Sequence, residues 1–184
     1  MLLTTCFAIL PRMVSIRAAV PDDAPELVRL RQLMFDAMGL GGPDAPIAWR
    51  AEAERMLRKK LADPDSGLIV FVAADPSDPG SGRLAACAVG TVAERLPNPV
   101  ALRNLVGHVS NVCTDPEERR RGYARACLKA LLDWFDQQGV QRVDLNATAE
   151  GQGLYLSLGF AEPHWPALAR VTPAARDQSR PRTP

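Results

Sequence analysis

The 184-residue chain lacks an excess of charge of either sign: 22 Lys and Arg stand against 21 Asp and Glu, a net +1. A protein that grips nucleic acid through bulk charge shows a strong basic surplus, so that class is excluded. The chain also lacks any run near the ~18 apolar residues of a membrane span. Its apolar opening, residues 1–10, has neither a basic start nor a small-residue cleavage site, which argues against a signal peptide. Cys6, Cys87, Cys113 and Cys127 form no C-x-x-C pair, and three of them lie in apolar runs. They read as small hydrophobes in a reducing cytoplasm, with no disulfide frame and no metal site. No internal repeat is visible.

What the chain does have is 47% apolar residues in a length suited to one domain with a real core. Met13 stands just before the first patterned strand, so residues 1–12 are expected to be an N-terminal extension and residues 13–169 the domain. Residues 170–184 are rich in Pro, Arg and polar side chains and show no core face. They are expected to be a disordered tail.

Periodicity supplies the elements between these ends. Val14 to Ala18 alternates as a short strand, and Asp22-Asp23-Ala24-Pro25-Glu26 reads as a helix start with an Asp cap and a capping-box Glu. Leu27, Leu30, Met34 and Met38 continue that helix until the break at residues 39–46. Trp49, Ala53, Met56, Leu57 and Leu61 mark a second helix. Leu68 to Ala74 is a continuous apolar run, the sign of a strand covered on both faces. A turn over residues 75–82 then predicts an antiparallel hairpin with Leu84 to Val92. Residues 94–104, with Pro97 and Pro99, are expected to be a loop.

Leu105 to Val112 predicts the next strand. After it come Asp115-Pro116-Glu117-Glu118, the triplet Arg119-Arg120-Arg121, Gly122, and an amphipathic helix with Ala124, Cys127, Leu128, Leu131, Leu132 and Phe135 inward. The first turn of such a helix leaves about four N–H groups unpaired at the positive end of its dipole, ready for a phosphate. Gly122 leaves room for close backbone approach, Ala124 keeps the next inward position small, and the arginines add positive charge. No Lys-Ser or Lys-Thr pair follows the glycine, which removes nucleotide hydrolysis of the P-loop type. Gly139 is placed to end the helix. Val140 to Ala147 predicts a fifth strand, residues 150–158 a short helix carrying Tyr155, and Phe160 the start of a last strand or extended segment.

Arg119, Gly122 and Ala124 fit the arginine-x-x-glycine-x-alanine pattern of the acyl-CoA loop in the GCN5-related N-acetyltransferase (GNAT) superfamily. The segment Asn146 to Phe160, ending Leu154-Tyr155-Leu156-Ser157-Leu158-Gly159-Phe160, resembles that family's later conserved segment. Two pieces in the right order on matching elements make a specific signal. The resemblance covers about Ser15 to Ala169. It implies an α/β fold with a mixed, mostly antiparallel sheet flanked by helices, and acetyl-CoA as co-substrate.

It further implies roles residue by residue. The turn from Arg119 through Arg120, Arg121, Gly122, Tyr123 and Ala124 takes the pyrophosphate. Val112, Cys113 and Thr114 pair with the pantetheine arm as an added strand would. Thr148 stands where many members carry an Asn that contacts pantetheine, and Asn146, two residues earlier, is a substitute. Tyr155 matches the family tyrosine that protonates or stabilises the leaving thiolate. Glu94, His108 or a water chain remain open as the base. The implied reaction is direct acetyl transfer to the primary amine of a small molecule in the cytoplasm, without nucleic acid or membrane. A homodimer, common among members, is left open. The rival reading is a non-catalytic acyl-CoA sensor or interaction module on the same fold.

Overall fold

The structure is a computed structural model that describes residues 15–40, 48–74, 82–99, 101–164 and 166–170. The expected extension at residues 1–12, Cys6, most of the turn at 75–82 and the tail beyond residue 170 lie outside the described residues. The chain forms two compact units, Met1–Asn146 and Ala147–Pro184.

In the first unit the order is β1 (Ser15–Ala18), α1 (Ala24–Ala37), α2 (Ala48–Leu61), β2 (Leu68–Ala74), β3 (Leu84–Arg95), β4 (Asn104–Thr114), α3 (Tyr123–Gln137) and β5 (Arg142–Leu145). The five strands form one sheet in sequence order; the first three pairings are antiparallel and β4–β5 is parallel. This is the mixed, mostly antiparallel sheet expected. The apolar run of β2 is covered on both faces, as its pattern requires. Val70 and Val72 pack with Leu27 and Leu30 of α1 and with Leu84, Cys87 and Cys113. On the other face lies α3, whose Leu128, Leu131 and Phe135 are fully buried. It settles so low that a Cβ built on Gly90 would stand 2.7 Å from both Leu131 Cδ1 and Phe135 Cζ. Gly139, at φ +72°, ends α3 as expected, and Val140 N–H donates to Phe135 O at 3.0 Å.

Several expectations are corrected. Asp23 precedes α1 but does not cap it. Its carboxylate accepts from Val20 N at 2.8 Å and from the Arg17 guanidinium at 2.7 and 2.8 Å. Glu26 likewise makes no capping box; it accepts from Arg29 and from Leu84 N–H at the start of β3. Residues 94 and 95 are strand, not loop. The ladder carries on through Glu94–Leu105 and Arg95–Asn104, because the prolines break it only beyond Leu96 and both polar residues face water. Finally, β5 stops at Leu145, short of Ala147.

The β3–β4 register contains one irregularity. Val89 pairs with Asn111 but Gly90 pairs with Val109, so Ser110 is an extra residue on β4, a β-bulge.

The second unit contains α4 (Gln152–Leu156), a single short helix. The chain turns out of it through Gly159 at φ +90°, with Phe160 N–H donating to Tyr155 O at 3.1 Å. Residues 161–164 and 166–170 hold no strand. Of the expected strand or extended segment, the strand is not formed among the described residues: Pro163 and Pro166 withhold donors from any ladder.

Candidate active site

Two features of β4 define the site in the first unit. Its inner edge is paired to β3 along its whole length. Its outer edge meets β5 only from Val106 to Val109, opposite Arg142 to Leu145. Among the described residues, 111–114 therefore have an outer edge without a strand, and alternate residues of an antiparallel strand direct N–H and C=O groups outward there. Val112, Cys113 and Thr114 occupy this open edge; Val112 and Thr114 are partly exposed and Cys113 is buried. Burial pushes the Cys113 thiol up to about 11 against the pull of the nearby Arg119 and Arg29 cations. Cys127 is pushed up by burial to about 12, and Cys87 higher still. All three are free, protonated, buried hydrophobes, as expected.

The open edge leads straight into the basic turn. Asp115, at 2% exposure, anchors the junction. It accepts from Arg29 Nη1 at 2.7 Å and Arg83 Nη2 at 3.1 Å, and its other oxygen accepts from Glu117 N–H at 3.1 Å, capping the 3-10 turn Pro116–Glu118. Burial raises the Asp115 pKa, but the Glu117 N–H and the two guanidinium groups outweigh it and hold the carboxyl below its ordinary range.

Beyond this anchor Arg120 takes φ +65° and Gly122 φ +82°, both left-handed. For Arg120, a non-glycine residue, that is a costly conformation, of a kind that clusters at ligand clamps. A Cβ on Gly122 would meet nothing within 4 Å, so the backbone turn and not the protein's own packing demands glycine there. Ala126 is the first residue of α3 whose N–H closes a helical bond, onto Gly122 O at 3.0 Å. No side chain caps the helix, so the N–H groups just before Ala126 are free for an anion. Arg119 and Arg120 are exposed, while Arg121 is paired with Glu118 at 3.0 Å.

The two residues named as bases fall on opposite faces of the sheet. Glu94 shares the face of Gly90, under α3, and is exposed. His108 is paired with Thr91 and stands in register with Asp144 of β5, on the face of Cys87 and α1. Asn146 closes the first unit and is exposed.

In the second unit the Thr148 hydroxyl is engaged locally, accepting from Gly151 N–H at 3.2 Å. Tyr155 is half-buried on α4 with its ring edge-on to Phe160, centroids 5.9 Å apart, and burial raises its pKa.

Sequence reasoning passed over Asp115, Arg29, Arg31 and the bulge. The bulge had a signal: in His108-Val109-Ser110-Asn111 strict alternation fails inside a strand, as an inserted residue requires.

An open strand edge runs into an uncapped helix start on a mixed sheet, so unpaired strand groups and helix N–H groups lie in one line. Residues 29–160 match the acetyltransferase (GNAT) family. The chain belongs to that family, and its class is N-acetyltransferase. It is 29% identical over 161 residues to glucosamine 6-phosphate N-acetyltransferase 1 of Oryza sativa subsp. japonica, covering 83% of this chain and 92% of that one. Among solved structures it resembles an acetyltransferase of Clostridium acetobutylicum solved with acetyl-CoA, at TM-score 0.69 and 23% identity over 85% of this chain and 96% of the other. An acetyltransferase of Agrobacterium tumefaciens str. C58 superposes at TM-score 0.64 with 26% identity, over 85% and 99%. Among the described residues no helix is long and apolar enough to cross a membrane.

Proposed function

We propose that this enzyme transfers acetyl from acetyl-CoA to the primary amine of a small, cytoplasmic acceptor by direct attack. The observation that carries this reading is the continuous path from the open β4 edge, through the Asp115 anchor, to the uncapped start of α3. The pyrophosphate takes the free N–H groups at that start, with Arg119 and Arg120 adding charge and Arg121 partly committed to Glu118. The pantetheine amides pair with Val112, Cys113 and Thr114. Asn146 and Thr148 supply polar contacts to the same arm. Tyr123 and Ala124 contribute backbone more than side chain.

The amine nitrogen attacks the thioester carbonyl, forming the C–N bond, and the C–S bond breaks to release CoA thiolate. Tyr155 gives that sulfur its proton; a phenol, with an ordinary pKa of ~10, is protonated at neutral pH, and burial raises its pKa further. His108 or Glu94 accepts the proton that the amine must lose. The rice relative makes amino-sugar phosphates the first acceptors to try.

The test is calorimetry with acetyl-CoA, and CoA release followed across a panel of amines. Wild type binds acetyl-CoA and releases CoA with at least one amine. Tyr155→Phe lowers kcat about 100-fold or more with acetyl-CoA affinity unchanged. Tight acetyl-CoA binding without release to any amine would replace this reading with that of a sensor.

A further inference from the structure

The half-buried Arg31 guanidinium, on the side of α1 that faces β4, is a charge without a carboxylate. Its carbon lies 4.8 Å from the centre of the Phe35 ring, and Phe35 is in turn held edge-on by Trp49 of α2, centroids 5.5 Å apart. Its one hydrogen-bond contact runs from Nη1 to Asn111 Oδ1 at 3.5 Å, the long limit for such a bond. Asn111 is 3% exposed, and its amide nitrogen is turned away toward Cys87 Sγ at 3.4 Å, which fixes the oxygen toward Arg31. A guanidinium carries five N–H donors in a planar fork. Four of Arg31's find no acceptor among the described residues. The other cation of α1 differs: Arg29 is committed to Glu26 and Asp115.

Burying a charge without a counter-ion is costly, and burial lowers the pKa of Arg31, opposed only by the smaller influence of the Cys87 thiol. Stacking on Phe35 relieves part of the cost but fills none of the donor fork. The place of the cation gives it a use. Asn111 directly precedes Val112 on the open edge of β4, and the Ser110 bulge sets His108 on the same face.

We propose that Arg31 is a specificity-determining residue that binds an anionic oxygen group, phosphate or carboxylate, of the acceptor. Its planar fork suits two oxygens of either group, and the aromatic floor and Asn111 hold the fork in position. This rests on the acetyltransferase reading only in assigning the anion to the acceptor.

Direct calorimetry tests it, with and without acetyl-CoA, using matched pairs: glucosamine 6-phosphate against glucosamine, 2-aminoethyl phosphate against ethanolamine, and β-alanine against propylamine. Wild type should bind the anionic member of at least one pair 10-fold or more tightly. Arg31→Met should bring both members within about 3-fold, and Arg31→Lys should keep part of the preference. Preference in the first two pairs alone identifies a phosphate, and in the third a carboxylate. Equal or undetectable binding of every pair by wild type, or a preference surviving in Arg31→Met, overturns the proposal. Failure of the transferase reading shows elsewhere, as absent acetyl-CoA binding or absent CoA release.

Discussion

His108 and Asn111 point to the same face of the sheet although they stand three positions apart on one strand. Regular alternation would put them on opposite faces; the extra residue Ser110 resets it. One imidazole and the partner of Arg31 are thereby gathered over the α1 face, while Glu94 lies on the other. If the acceptor enters over the α1 face, His108 and not Glu94 removes its proton. His108→Gln should lower kcat about 100-fold, and Glu94→Gln should leave it within about 2-fold. Steady-state CoA release with the best amine checks both, and the reverse ranking would move the acceptor to the other face.

The basic turn permits a paired test of backbone conformation. Gly122→Ala puts a Cβ into open space but into a left-handed backbone, so it should cost about 1–2 kcal/mol and weaken acetyl-CoA binding about 10-fold as the turn relaxes. Arg120→Gly removes a strained non-glycine residue at φ +65°, so thermal stability should stay level or rise by up to about 1 kcal/mol. Losing one exposed cation, it should bind acetyl-CoA more weakly at low salt and with a shallower salt dependence than wild type. Melting curves and calorimetry at two ionic strengths separate conformation from charge.

Asp115 should appear in the pH dependence of stability. Its carboxyl is held below the ordinary range in the folded chain, so the stability it contributes is fully present above the unfolded value of ~3.9. That contribution disappears as pH falls through the lowered folded value. Asp115→Asn should flatten the acid limb below about pH 4. At neutral pH it should lose about 2–3 kcal/mol, less than the ~3–5 of a broken, fully buried pair, because Arg83 is half exposed and screened. Urea unfolding at pH 7 and pH 3.5 measures both effects.

Most of the fold was legible because its elements are amphipathic or uniformly apolar: β2 as one apolar run, α3 as a single stripe ending in Leu131 and Phe135. The basic turn was legible because a glycine at a fixed offset after three arginines is a local pattern. What could not be read was pairwise and distant. Asp115 joins Arg29, 86 positions away, and nothing local to either residue states it. The extent of β3 differs for a related reason: Pro97 and Pro99 mark a break but not where it begins, and only partners on β4 hold Glu94 and Arg95 in the ladder. In sequence Arg31 reads as any charged position on a helix, and only the fold brings Asn111, 80 positions on, beside it.

The seat of α3 offers a test of packing rather than chemistry. The Phe135 ring end and a Leu131 methyl occupy the space where a Gly90 side chain would begin, and a Gly107 Cβ would stand 3.2 Å from Phe135 Cζ. Phe135 is fully buried, so its ring cannot swing into solvent to make room. Gly90→Ala should therefore destabilise by about 1–3 kcal/mol through overpacking, although alanine favours a strand backbone over glycine. Pairing it with Phe135→Leu, which withdraws the ring, should recover part of that loss. The double-mutant cycle then shows a coupling of about 1 kcal/mol. Additive losses would mean that α3 can lift from β3 at little cost, and that the start of the same helix is not rigidly aimed.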